Sequence, residues 1–237
     1  MCRSNRRQGC REQDLPDDVT EAESINRPTE RTRDTWAQAG ILVNELARPV
    51  LFLNLPVDCG SFPPAALGEP GYLSLRQLLR TPITWSVAGQ IVYICENPNI
   101  VSIAADRLGS ACAPLVCTDS MPAAAQRVLL TQLADAGAKL LYHGDFDWAG
   151  IHIANNVMRL CTATPWRFES DDYSQAFGSC PQKERDLSDI TVTASWDASL
   201  GAIMQLHGLA IPEEAGASLP IDDLKVFGDV MEASLPN

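Results

Sequence analysis

Lysine is scarce in this chain. Only Lys139, Lys183 and Lys225 occur in 237 residues, and 18 basic residues face 30 acidic ones, for a net charge of −12 at pH 7. Phosphate neutralisation by Lys and Arg supplies most non-specific affinity for nucleic acid, so this balance excludes a protein that grips DNA tightly unaided. A nucleic-acid substrate would need positive charge from a metal ion or a partner subunit. No stretch approaches the roughly 18 uninterrupted apolar residues of a membrane helix, and no apolar segment follows the basic N-terminus as in a signal peptide. That reading points to the cytoplasm and to no membrane contact. No C-x-x-C pair occurs among the eight cysteines, which argues against a zinc site. Cys95, Cys112 and Cys117 sit in or beside apolar runs and read as buried, reduced thiols. There is no internal repeat and no low-complexity run.

What is present is a chain with 46% hydrophobic and 20% charged residues, enough for one sizeable core. Residues 1–34 stand apart, with seven arginines, eight acids and almost no aliphatic periodicity. Such a segment buries too little apolar surface to offset its ordering entropy, and it reads as a disordered charged leader. Residues 35–88 are short and punctuated. Leu51–Leu55 reads as a strand, prolines and glycines from Pro56 to Gly71 as loop, and Ser74 as the N-cap of a brief helix through Leu79. This region is expected to be the remnant of a larger N-terminal domain, with residues 89–237 forming the main domain.

From residue 90 strands and helices alternate. Ile91–Cys95, Ala113–Cys117 and Lys139–Tyr142 are apolar runs of strand length. Between and after them lie helical stretches, 99–108, 122–136 (stopped by Gly137) and 150–160. Strands apolar on both faces predict an α/β fold, a parallel sheet flanked by helices, behind a short irregular N-terminal region. Right-handed crossovers then bring all strand C-termini to one edge, where ligands bind in such sheets. Further on, 166–168 and 190–193 read as strands, and 196–207 and 219–232 as helices.

The strand ends carry the chemistry. The first run ends in Glu96 and the third in Gly144-Asp145-Phe146-Asp147. In a parallel sheet these three carboxylates meet at one edge, where their mutual repulsion calls for a cation. Oxygen-only ligands favour Mg²⁺ or Mn²⁺. The bland reading is that Asp147 merely caps the following helix. Glu213, Glu214, Asp222 and Asp223 read either as ligands to a second metal or as a solvated acidic helix end. His143 reads either as a phosphate contact or as a strand-end histidine satisfied by a backbone carbonyl.

The blocks Glu96-Asn97-Pro98, Pro114–Thr118 and Tyr142-His143-Gly144-Asp145-Phe146-Asp147-Trp148-Ala149-Gly150 resemble the DUF2399 C-terminal domain. The likeness continues through Pro165-Trp166-Arg167, Asp172-Tyr173, Trp196-Asp197, Glu213-Glu214 and Asp222-Asp223-Leu224. That domain is similar to the Toprim fold of topoisomerases, primases and overcoming-lysogenization-defect nucleases. Toprim proteins place a Glu after the first strand and D-x-D after the third, matching Glu96, Asp145 and Asp147. The resemblance implies a nuclease subunit of a Wadjet-like anti-plasmid defence system. It would bind Mg²⁺ or Mn²⁺, work with an SMC-like ATPase complex, and act on DNA held mainly by partner subunits. Family members usually have a longer N-terminal domain, which suggests a truncated chain, and Ser120 stands where the family tends to have Gly.

Topoisomerases with this fold use a tyrosine nucleophile from another domain. Here Tyr93 and Tyr142 read as core, and Tyr72 and Tyr173 as loop residues, so hydrolysis by metal-activated water is the expected reaction, with Glu96 as ligand or general acid/base. A haloacid-dehalogenase-like phosphatase also carries D-x-D after a strand, but Trp148 stands where that family usually has Thr or Val, and Lys183 is the only lysine at a fitting distance. A non-enzymatic reading, an inactive scaffolding subunit of an SMC-like complex, is the alternative.

Overall fold

The computed structural model describes residues 44–58, 64–81, 83–179, 187, 191–216 and 218–225. The charged leader, Lys183 and the distal part of the helix expected over 219–232 lie outside them. The described residues from Glu45 onward belong to one structural unit.

Six strands build a mixed sheet: β1 Val50–Leu53, β2 Gly71–Leu73, β3 Ile91–Cys95, β4 Leu115–Cys117, β5 Lys139–Tyr142 and β6 Thr164–Pro165. Their order across the sheet is β2-β1-β4-β3-β5-β6. The β4, β3, β5 and β6 strands run parallel, while β1 pairs antiparallel with both β4 and β2. The parallel sheet read from the sequence is therefore the larger part of a mixed one. The punctuated stretch before residue 88 supplies its two antiparallel strands, and all four residues of β1 are buried because it is an interior strand. Residues 191–193 and Trp166–Phe168 are not strands, and β6 is only two residues long. Its proline lacks an amide donor, which suits an edge position.

Seven described helices accompany the sheet: α1 Leu75–Arg80, α2 Pro98–Leu108, α3 Ala124–Asp135, α4 Trp148–Cys161, α5 Ser170–Ser179, α6 Leu200–His207 and α7 Ser218–Asp223. Ser74 caps α1 with a reciprocal capping box, its hydroxyl accepting from Gln77 N while Gln77 Oε1 accepts from Ser74 N. The period-2 alternation of the strands divides the interior in two. Val50, Phe52, Val92, Ile94, Val116, Leu140 and Tyr142 face a core with Leu129, Leu130 and Leu133 of α3 and Ile151, Ala154 and Val157 of α4. Leu51, Leu53, Cys95, Leu115 and Cys117 face the other, with Ile100, Val101 and Ala104 of α2 and Ile221 of α7. The four described cysteines, 95, 112, 117 and 161, are all buried and unpaired. Among the described residues no helix is long and apolar enough to cross a membrane.

The topology opens a crevice at one edge of the sheet. From β3 the chain passes through α2 to β4 on one side, then through α3 to β5 on the other. The strand order thus reverses between β3 and β5, and crevices form at such points beyond the strand C-termini.

Candidate metal centre

Glu96 follows β3 directly and Asp145 lies three residues beyond β5, on either side of this reversal. Asn97 caps α2, accepting from Asn99 N at 2.9 Å, and Pro98 opens the helix with the φ it needs. Asp147 caps α4, its Oδ1 accepting from Gly150 N at 2.7 Å. The bland reading of Asp147 as a cap thus describes its carboxylate in this structure. Gly150 is required, because a Cβ there would lie 2.1 Å from the backbone oxygen of Asp145.

A further carboxylate, Glu213, reaches this edge from far along the chain. Phe146 and Ile211 exchange backbone hydrogen bonds (2.9 and 3.2 Å), which seats the short 3-10 turn Glu213–Gly216 against the D-x-D loop. Glu213 N donates to Asp145 Oδ1 at 2.7 Å. In return the Glu213 carboxylate accepts from Asn97 N at 2.7 Å and from Glu96 N at 3.2 Å. Glu213 is 2% exposed. Neighbouring Glu214 accepts from Asn97 Nδ2 and, at 3.1 Å, from Asn99 Nδ2. The solvated-end reading therefore fails for Glu213, while Asp222 is exposed. Asp223 points elsewhere, accepting from Trp166 Nε1 at 3.0 Å and pairing with Arg167 through Nε and, at 2.7 Å, Nη2.

The electrostatics follow from burial without a counter-ion. Desolvation first, then the charge of Asp145 and more weakly that of Asp147, push the Glu96 carboxyl up to about 7, against the backbone N–H of Asp145 and, least, the nearby Tyr142 hydroxyl. Desolvation raises Glu213 well above the carboxylate range too, with Asp145 adding to it and the amides of Asn97 and Glu96 opposing it. Glu96 Oε2 is buried with no hydrogen-bond partner among the described residues. His143 is buried, with Nδ1 3.0 Å from the carbonyl of Trp166, and burial lowers it to about 4. It is a neutral wall residue packed edge-on against Phe146, Trp166 and Phe168.

The loop after β4 borders the same edge, with Ser120 N 3.4 Å from the carbonyl oxygen of Glu96. Asp119 and Ser120 hold left-handed backbone (φ 50° and 72°). Arg48 braces it by donating to the carbonyls of Asp119 at 2.9 Å and Met121 at 3.3 Å. Ser120 thus adopts the geometry for which glycine is suited. Tyr72 is exposed on β2, whereas Tyr173, read as a loop residue, is buried in α5 and donates to the carbonyl of Leu209 at 2.8 Å.

These residues fit a hard divalent cation in one respect. Glu96 offers an unsatisfied carboxylate oxygen beside two further acids, and Mg²⁺ is commonly held by one or two carboxylates with its remaining positions filled by water. A closed cage is absent: among the described residues no three His, Cys, Asp or Glu side chains gather as a ready metal-binding group. Glu96 and Asp145 are the residues that would hold the ion, with Asp147 engaged at the helix cap.

A family model described as the C-terminus of a protein of unknown function, DUF2399, matches residues 71–224. No curated protein matches the sequence.

Proposed function

We propose, from the premise that this chain belongs to the DUF2399 family, that it is a Toprim-like nuclease subunit hydrolysing DNA phosphodiesters with Mg²⁺ or Mn²⁺. Its setting would be a cytoplasmic, multi-subunit, SMC-associated complex of the anti-plasmid, Wadjet-like kind. The observation carrying this reading is the pair Glu96 and Asp145 across the strand-order reversal, with Glu96 Oε2 buried and unsatisfied and its carboxyl held near neutrality. Buried acids perturbed in this way beside a crevice are commonly functional.

In this mechanism Glu96 and Asp145 bind, and Asp147 adds negative charge nearby while keeping α4 in place. The bound ion supplies charge stabilisation for the scissile phosphate and an acidified water. Burial and the neighbouring acids raise the Glu96 carboxyl to about 7 without the ion, and a bound cation would lower it and hold Glu96 as an ionised ligand. Glu213 sets the spacing between the two loops, since its amide engages Asp145 and its carboxylate the Glu96 and Asn97 amides. A net charge of −12 agrees with DNA being held largely by partner subunits.

A scaffolding role is favoured by one observation, the occupation of Asp147 and Glu213 in backbone hydrogen bonds that leaves no ready three-ligand group among the described residues. Two measurements separate the readings. Supercoiled plasmid is incubated with the chain, with and without the neighbouring gene products, in Mg²⁺ or Mn²⁺. Nicking or linearisation lost in Glu96→Gln and Asp145→Asn supports the nuclease, and cleavage surviving both substitutions overturns it. A melting temperature unmoved by millimolar Mg²⁺ or Mn²⁺, with no cleavage, establishes the scaffold.

A further inference from the structure

Tyr142 is the last residue of β5 and is fully buried, 0% exposed. Buried tyrosines ordinarily find a partner for the hydroxyl. Tyr173 donates to the carbonyl of Leu209 at 2.8 Å, and Tyr93 lies 3.5 Å from that of Asp223. The Tyr142 hydroxyl has no hydrogen-bond partner among the described residues, and neither does Glu96 Oε2. The two orphans converge on one spot. A Cβ on Gly144 would sit 2.9 Å from Tyr142 Oη and 3.0 Å from Glu96 Oε2, so the missing side chain leaves the space both oxygens border. A phenol is a donor and an ionised carboxylate an acceptor, which makes them complementary.

We propose that Tyr142 is a positioning residue for Glu96, its hydroxyl donating to Oε2 when the site holds its divalent cation, so that the other carboxylate oxygen is presented to the ion. Gly144 provides the room for that bond. The inference rests on the metal-dependent reading above and deepens it. Hydrogen bonds behind a ligating group fix its orientation, and their loss typically costs about 10- to 100-fold in metal affinity.

The test uses the purified full chain and Mn²⁺ alone, with free Mn²⁺ followed by its electron paramagnetic resonance signal. Tyr142→Phe keeps the ring and removes only the hydroxyl. It is expected to weaken Mn²⁺ binding about tenfold while leaving metal-free melting unchanged, and to abolish a near-ultraviolet tyrosine difference band that Mn²⁺ induces in the wild type. Gly144→Ala, which forces the two oxygens apart with the tyrosine still present, is expected to lose affinity similarly. Tyr93→Phe, on the opposite face of the sheet, should bind like wild type. Equal affinity and an unchanged difference band in Tyr142→Phe would overturn the assignment while leaving the metal site standing. A variant that melts lower but binds Mn²⁺ normally would reduce Tyr142 to packing and overturn it equally. Failure of the wild type to bind Mn²⁺ would remove the proposed function and this inference with it.

Discussion

Two groups of acids near the C-terminal part of the described chain are handled in opposite ways. Asp223 sits between the Arg167 guanidinium and the Trp166 indole, and its carboxyl is held below the usual range chiefly by the Arg167 hydrogen bonds. Glu213, ten residues earlier, is buried among backbone amides and other carboxylates and is driven up by desolvation, as is Glu96. Among the described residues neither Glu96 nor Glu213 forms an ion pair with Arg or Lys. One arrangement fastens α7 to the loop after β6. The other gathers negative charge at the place where the topology opens a crevice, at a cost in stability. Asp223 is stabilised in its charged form by its partner, whereas Glu96 and Glu213 are driven toward their neutral form by burial.

The contrast is broken most sharply by substitution at the strand edge. Glu96→Gln and Asp145→Asn are expected to lower metal-dependent plasmid cleavage at least about 100-fold, the usual scale for removing acid–base or ligand function, whereas Asp223→Asn keeps it. A plasmid-nicking time course decides between these outcomes.

The next effect is on pH dependence. A raised native pKa means the folded protein holds the Glu96 proton more tightly than the unfolded chain. That contribution is fully present below about 4.5 and is lost as pH rises through about 7. Without metal, stability should fall by on the order of 2 kcal/mol toward pH 8, allowing for partial exposure. Glu96→Gln should shrink the decline, leaving the part of the same sign that the raised Glu213 contributes, and Mg²⁺ should offset it. His143 has the opposite sign, its stabilisation being lost as pH falls from 6.5 through about 4. Melting curves across pH 4 to 8 read both.

Gly150→Ala places a methyl against the backbone of Asp145 and should cost about 1–3 kcal/mol in denaturant unfolding while weakening the metal response. Asp223→Ala removes a partly exposed ion pair and the Trp166 contact. It is expected to cost about 1 kcal/mol and leave the metal-induced shift in melting intact. The smallest change is expected from Ser120→Gly, a gain of about 0.5 kcal/mol from relief of left-handed strain, partly offset by the freer unfolded chain.

Much of the parallel half of this molecule is local information. The apolar runs 91–95 and 139–142 are strands with those limits, Ser74 caps α1, and helices stand within two residues of their expected ends over 98–108, 124–135 and 148–161. Glu96 and Asp145 flank the reversal because a right-handed crossover places them there. The antiparallel β1 escaped such reading, since nothing within 50–53 specifies which strand it will join. Glu213 stands among the candidates, but its seat on the Glu96 and Asn97 amides is unreadable for the same reason, those partners lying 117 and 116 residues away. A usable hint was the apolar Leu209–Ile211 just before Pro212-Glu213, which supplies the strand-like contact to Phe146. Trp166–Phe168 looked like a strand because three large side chains are buried or half-buried there, but left-handed Arg167 (φ 47°) breaks the extended backbone.

The interior place of β1 bears on how this protein can be handled in pieces. The family match starts at β2, yet β2 touches the sheet only by way of β1, which the match omits. A fragment cut at residue 71 would strand β2 with no neighbour and bare the apolar flank of β4, Leu115-Val116-Cys117, as an unsatisfied hydrogen-bonding rim. Such rims recruit other chains, so that fragment should aggregate where one starting at Glu45 stays dispersed.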